Sequence, residues 1–302
     1  MASHVQDEAY SPTINPDVLS TFAAQILATL PVPEPDAALL ADSLVQAELW
    51  GHQSHGMFRL PWYVDRLRSG VVRADSTPQT LIDTGPLLLI DGKQGIGQVV
   101  TEHARVEAVA RAREHGIGAV GVRNSNHFGT AMYFTRRAAQ DGCVAILTTN
   151  SSPAMAPWGG REKVLGSNPW SIAAPWGDKV VAVDISNTAV ARGKIYLAEQ
   201  RGESIPESWA LTKDGAPTSD ATEGISGIML PMAGHKGYAI TFMMDVLSGA
   251  LTGSKVGKSI HGPYEADKES GVGHLLIAID VVTLGSEAEF TEKVGSPDSS
   301  VG

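Results

Sequence analysis

A single cysteine, Cys143, stands among the 302 residues, so no internal disulfide can staple this chain. That scarcity fits a reducing compartment, and the apolar run Cys143-Val144-Ala145-Ile146-Leu147 marks the thiol as a core group rather than a nucleophile. Basic residues are also few. Against 33 Asp and Glu there are 23 Lys and Arg, scattered rather than massed, and the net charge is -10. A phosphate backbone would be repelled over most of such a surface, which argues against nucleic acid as a partner. No apolar stretch approaches the length a bilayer requires, and Met1 to Tyr10, with His4, Asp7 and Glu8, lacks the apolar run of a leader. The chain therefore reads as cytoplasmic, with no membrane partner. With 43% hydrophobic and 19% charged residues it can bury a substantial core, divided over two compact lobes.

Hydrophobic spacing organises the chain. Asp17 to Leu30 and Pro35 to Leu49 repeat apolar residues every three to four positions, Pro31 and Pro33 divide them, and a helix is expected to continue to Gly70. From Thr80 the texture turns to short apolar runs such as Leu87-Leu88-Leu89-Ile90, followed by a long helix over about Gly97 to His115. Strands are predicted at Gly118 to Arg123, Val144 to Asn150 and Val180 to Ile185, with a helix from Thr130 to Asp141. Such interleaving indicates an α/β lobe. Gln200 to Gly227 reads as loop, Gly237 to Leu251 as a helix, His274 to Val282 as a last strand, and Gly295 to Gly302 as a disordered tail.

One string invites a wrong conclusion. Gly116-Ile117-Gly118-Ala119-Val120-Gly121 satisfies the dinucleotide pattern G-x-G-x-x-G, and Asp141 follows at the distance of a ribose-binding acid. That pattern works only where a strand leads into a helix, whose free amides then meet the pyrophosphate. Here a helix ends at His115 and feeds a strand, so Gly116 reads as a helix stop. Gly92, Gly95 and Gly97 fail because Val100 stands where a third glycine is required.

The chemistry concentrates elsewhere. Ser54, His55 and Arg59 bring a hydroxyl, an imidazole and a guanidinium into six residues: a proton exchanger suited to neutral pH, its helper, and a planar fork for a carboxylate. A small carboxylic acid is the natural guest. Polar turns gather at strand ends: Asn124 to Gly129, Asn150 to Pro153, Gly166 to Pro169, Asp184 to Asn187 and Ala191 to Lys194. Gly234-His235-Lys236-Gly237 precedes a helix. Each is an ordinary turn alone, but five on one side of a sheet suggest a ligand site. His52 and His55 with His103 or His127 could be read as a metal site, but no carboxylate completes a ligand pattern there.

Taken in order, Ser54-His55-Gly56 with Arg59 and Tyr63, Asn126 to Gly129, Ala156 to Gly160, Gly166 to Pro169, Ala191 to Lys194 and Gly234 to Gly237 resemble the malate/L-lactate dehydrogenase family, which is distinct from the Rossmann-type enzymes. The likeness runs from about Pro16 to Asp280. It implies an α/β fold with a mixed, largely antiparallel sheet and flanking helices, plus an N-terminal helical lobe. By this resemblance, residues 1-75 form the helical lobe and 124-273 the cofactor lobe; 76-123 with 274-302 form a connecting and dimerisation region. The implied activity is an NAD- or NADP-dependent interconversion of a small 2-hydroxy acid and its 2-oxo acid by a cytoplasmic homodimer.

Site residues follow from the same likeness. His55 would be the proton donor, with Ser54 in its relay and Lys194 in the catalytic set; Arg59, Ser167 and Arg192 would hold the substrate. His127, Phe128, Gly129, Thr130, Ala131, Asp184, Ile185, Ser186, His235 and Lys236 would contact the cofactor, and no metal is implied. Cyclic imino acid reductases of the family carry an acid where Lys194 stands, which favours the hydroxy-acid reading over the imine one. Members continue past this chain's end with a helix and a loop reaching back to the cofactor, so a weaker hold on the cofactor, or a truncated non-catalytic cofactor-binding homologue, is a further expectation.

Overall fold

The computed structural model describes residues 13-295. The N-terminal decapeptide and the tail beyond Gly295 lie outside them. The helical lobe opens with α1 (Pro16–Leu27), where the Asn15 side chain accepts from the Asp17 amide and Pro16 occupies the first turn. It continues through α2 (Glu34–Leu49) and α3 (Leu60–Ser69). The single helix expected up to Gly70 is broken. Between α2 and α3 the chain makes two 3-10 turns, Gln53–His55 and Met57–Arg59, after Gly51 takes a φ of 74°. The carboxylate of Glu48 accepts from the Met57 amide at 2.8 Å and fixes the reversal.

The α/β part runs β1 (Gln79–Asp83), β2 (Leu87–Asp91), α4 (Gly97–His115), β3 (Ile117–Ser125), α5 (Met132–Gln140), β4 (Cys143–Thr149), β5 (Trp170–Trp176) and β6 (Lys179–Ile185). Then come α6 (Arg192–Arg201), β7 (Ala210–Leu211), α7 (Ala221–Ser226), β8 (Ile228–Met229), α8 (His235–Asp245), β9 (Val272–Asp280), α9 (Val281–Leu284) and α10 (Glu287–Gly295). Seven strands form one sheet in the order β1-β2-β3-β9-β4-β5-β6. Only β2 and β3 are parallel, joined by the α4 crossover; every other neighbour is antiparallel. The mixed, largely antiparallel sheet that the family resemblance implies is the observed one.

Three apolar clusters hold the elements. The main one joins the sheet to α4 and α5 through Ile90, Val100, Val120, Phe134, Leu147 and Leu276. Each such fully buried side chain contributes about 1.5–3 kcal/mol. A second cluster packs α1, α2 and α3 through Leu27, Leu40 and Leu44, and a third sits under α6 and α7 around Ile195 and Ile205. Cys143 is fully buried in the first, and burial pushes its thiol up to about 11.

The glycine string resolves as the order of elements required. Gly116 caps α4 in the left-handed region, φ 84°, with its amide on the Ala112 carbonyl. A Cβ on Gly118 would lie 2.1 Å from the Ala108 carbonyl oxygen, so this glycine lets α4 press on β3. Asp141 pairs with Arg105 instead of lining a ligand site. The sheet's register then gathers the polar turns: Ser125 opposes Val272, Thr149 opposes His274, and Trp170 faces both Thr148 and Ile185. The ends of β3, β4 and β6 and the starts of β5 and β9 share one edge.

Candidate active site

The two 3-10 turns deliver His55 and Arg59 to that edge. Ser54 ties them together: its hydroxyl lies 2.9 Å from His55 Nδ1, and its carbonyl accepts from Arg59 Nε at 2.6 Å. With Nδ1 so engaged, Nε2 is the His55 nitrogen left for a ligand. Arg59 is 5% exposed, stacks its guanidinium 4.3 Å from the centroid of Trp62, and pairs with no carboxylate among the described residues. Burial brings its pKa down to about 10.

His55 departs from the imidazolium that proton donation would suggest. Desolvation first, then the charges of Arg59 and His52, lower its pKa to about 3, so the ring is neutral at neutral pH. Beside it, at 5.8 Å between centroids and a 20° interplanar angle, stacks His127. The Gly129 amide, which can only donate, points to His127 Nδ1 at 3.3 Å, so that nitrogen accepts and the Tyr63 hydroxyl at 2.6 Å donates to it. The neutral His127 therefore carries its proton on Nε2.

A cavity of about 830 Å³ joins these groups, within the range of small-molecule sites. Ser54, His55, Arg59, His127, Phe128, Gly129, Thr130, Ala131, Ser167, Asp184, Ile185, Ser186, Arg192 and Lys194 all line it. Several differ in detail from the sequence expectation. Asp184 spends its carboxylate on the start of α5, accepting from the Met132 amide at 2.8 Å; burial raises its pKa and that amide opposes the rise. Lys194 sits exposed on α6 with no side-chain bond to Ser54 or His55. His235 and Lys236 are exposed at the start of α8 and do not line the cavity, where Met232 stands instead; the His235 ring packs on Trp158 at 5.8 Å.

A nicotinamide dinucleotide fits what is present. The Thr130 hydroxyl is buried at the cavity wall without a partner among the described residues, and Gly129, φ 84°, keeps the wall bare of side chain. Gly193 brings α6 against Ser54 and Arg59. A Cβ there would lie 2.5 Å from Ser54 Cβ and 2.9 Å from Arg59 Nη2.

Other lining residues carried no sequence signal. Tyr196 and Tyr264 line the wall and Trp62 backs them; the three form a triangle of ring contacts, 5.7 to 6.2 Å apart, from elements 134 and 68 positions distant in the chain, spacings that no local motif spans. A family model described as malate/L-lactate dehydrogenase matches residues 14–297. The L-sulfolactate dehydrogenase of Methanothermobacter thermautotrophicus is 39% identical over 93% of this chain and 82% of its own length. The malate dehydrogenase of Pyrococcus horikoshii is 40% identical over 92% of this chain and 79% of its own. Among solved structures, the sulfolactate dehydrogenase of Methanocaldococcus jannaschii superposes with a TM-score of 0.86 at 36% identity, over 93% of this chain and 81% of that one.

Proposed function

From the premise that the chain belongs to the malate/L-lactate dehydrogenase family, we propose that it interconverts a small 2-hydroxy acid and its 2-oxo acid with NAD or NADP, using His55 as base and acid. One observation carries this reading: a buried arginine with no counter-charge among the described residues lies beside a neutral, partly buried imidazole, both held by Ser54. Leaving such a cation unpaired is costly unless an anion arrives with the ligand. The carboxylate of a 2-hydroxy acid answers Arg59 and presents its hydroxyl to His55 Nε2.

When bound, the nicotinamide supplies or accepts the hydride. During oxidation His55 takes the hydroxyl proton; during reduction it returns one to the new alkoxide. A low pKa suits the base role in the free protein. Burial is the main cause of the low His55 pKa and the Arg59 charge the second; a substrate carboxylate on Arg59 offsets that second cause and so favours the imidazolium that reduction needs. His127 Nε2–H and the Thr130 hydroxyl contribute donors along the wall, and Ser167 and Arg192 complete the substrate side. Residues 1-75 serve as the lobe carrying His55, 124-273 as the cofactor lobe, and 76-123 with 274-302 as the connection; exposed Phe242, Met243 and Leu251 support a homodimer, which we place in the cytoplasm.

The test is a panel of 2-oxo acids assayed with NADH and NADPH in parallel. At least one pair should consume the reduced cofactor, and Arg59→Lys should raise KM for it by about 10-fold or more because the planar fork is lost. A flat signal across the panel would refute the activity.

A further inference from the structure

Behind the wall that His127 presents to the ligand cavity lies a second, far smaller one. It encloses about 10 Å³, roughly the room of a single water molecule, and Tyr63, Arg66, Gln98, Asn126 and His127 bring polar groups to it. Two of these are spent. Arg66 donates to the Gly262 and Glu265 carbonyls, to Ser270 Oγ at 3.0 Å and to Asn126 Oδ1 at 3.1 Å, and the Asn126 side-chain nitrogen donates to the Gly95 carbonyl at 2.9 Å. Gln98 is not. Its side chain is fully buried, and neither its oxygen nor its nitrogen has a hydrogen-bond partner among the described residues. A buried amide in that state costs stability, and ordered water is the usual answer to it.

The fold brings two elements to this point. Gln98 is the second residue of α4, and that helix starts hard against the His127 backbone: a Cβ on Gly97 would lie 2.3 Å from the His127 carbonyl oxygen. From α3 comes Tyr63, whose hydroxyl donates to His127 Nδ1 at 2.6 Å. Burial pushes that phenol up to about 12, against Arg59, the Gln98 amide and Arg66, so it keeps the proton for this bond. Its oxygen can still accept one. Gln98 faces it across the small cavity without bonding it directly.

Resting on the reading that His127 Nε2–H donates to the ligand along the cavity wall, we propose that one ordered water fills the small cavity and joins the Gln98 amide to the Tyr63 oxygen. The water donates to Tyr63, which leaves the Tyr63 proton for His127 Nδ1 and keeps the His127 proton on Nε2, toward the ligand. Gln98 and Tyr63 are then positioning residues, since neither lines the ligand cavity. Burial, then the charges of Arg59, His55 and Arg66, keeps His127 neutral, so its tautomer decides what it offers. A proton on Nδ1 instead would turn a bare nitrogen toward the ligand, an acceptor against an acceptor oxygen. The Gly129 amide also points at Nδ1, but at 3.3 Å it makes the weaker of the two bonds.

The experiment places isotopically labelled histidine in the full chain and reads the side-chain nitrogens by NMR, with His127 assigned from the signals that His127→Gln removes. In the unaltered protein His127 should show a protonated Nε2 and a bare Nδ1. Gln98→Leu and Tyr63→Phe should each move these signals toward the average of two tautomers, and lower kcat/KM by about 10-fold, the scale of one misdirected hydrogen bond. Crystals of the unaltered protein give a second readout that needs no variant to fold: one water within about 3.2 Å of both the Gln98 amide and Tyr63 Oη. A direct bond between Gln98 and Tyr63, a His127 proton on Nδ1, or a tautomer that Gln98→Leu leaves fixed overturns the inference. So does a higher melting temperature in Gln98→Leu, the response of an amide with no partner to lose. Should no 2-oxo acid be reduced, the activity fails separately, and the water and the tautomer still decide this point.

Discussion

Two stretches of this chain advertise a ligand, and only one of them lines the cavity. Gly116 to Gly121 matches a dinucleotide pattern, yet packing or backbone geometry accounts for its glycines: Gly116 closes α4, Gly118 admits the Ala108 carbonyl, and Gly121 lies close to Leu89. Ser54 to Arg59 matches no phosphate motif. It ends, however, in groups left incomplete among the described residues, a buried guanidinium without a counter-charge and an imidazole nitrogen without a hydrogen-bond partner. Unfinished polar chemistry in a cavity identifies a site better than a residue string does.

Substitutions can break this contrast. Of the glycine substitutions the larger effect on activity is expected from Gly193→Ala, where a methyl group would collide with Ser54 and Arg59 and push α6 away from them. Its kcat/KM should fall about 10²-fold, the cost of a small misplacement of positioned groups. Steady-state kinetics with thermal melting beside them would check it, and an active Gly193→Ala enzyme would show that α6 does not need that closeness. Gly118→Ala should behave the opposite way. Its Cβ meets backbone, so stability should drop by about 1–3 kcal/mol while cofactor KM stays within about twofold. A selective loss of cofactor affinity there would restore the glycine string as a binding loop.

The smallest effect concerns pH. Because burial and Arg59 lower His55 to about 3, its base form persists as pH falls below the ordinary imidazole value. For oxidation of the hydroxy acid, kcat/KM should therefore stay nearly level between pH 8 and about 6. A halving near pH 6.5 would mean that the free protein holds an ordinary, solvated histidine.

Legibility from sequence followed the range of the interactions. The helices α1, α2 and α4, several strands and the sheet-edge turns were readable because periodicity and turn chemistry are local. Strand β5 was missed although it pairs with both β4 and β6, as were α6 and α10; α6 has little amphipathic pattern of its own, and its first turn packs on Ser54 and Arg59, far away in the chain. At the site, Ser54, His55 and Arg59 could be found because they are adjacent. The capping role of Asp184, the exposure of Lys194 and the displacement of His235 and Lys236 from the cavity depend on tertiary packing, which motif order does not encode. Tyr264 and Trp62 meet only when the loop before β9 folds over α3.

The central claim is that the His55 imidazole moves the proton while the cavity binds cofactor independently of it. Single-turnover oxidation of the best hydroxy acid, followed by the appearance of reduced nicotinamide, tests this in His55→Ala beside the unaltered protein. The account predicts a rate lower by about 10³-fold, within the usual yield of general acid–base catalysis, with cofactor Kd unchanged within about twofold. An unchanged rate in His55→Ala would contradict it.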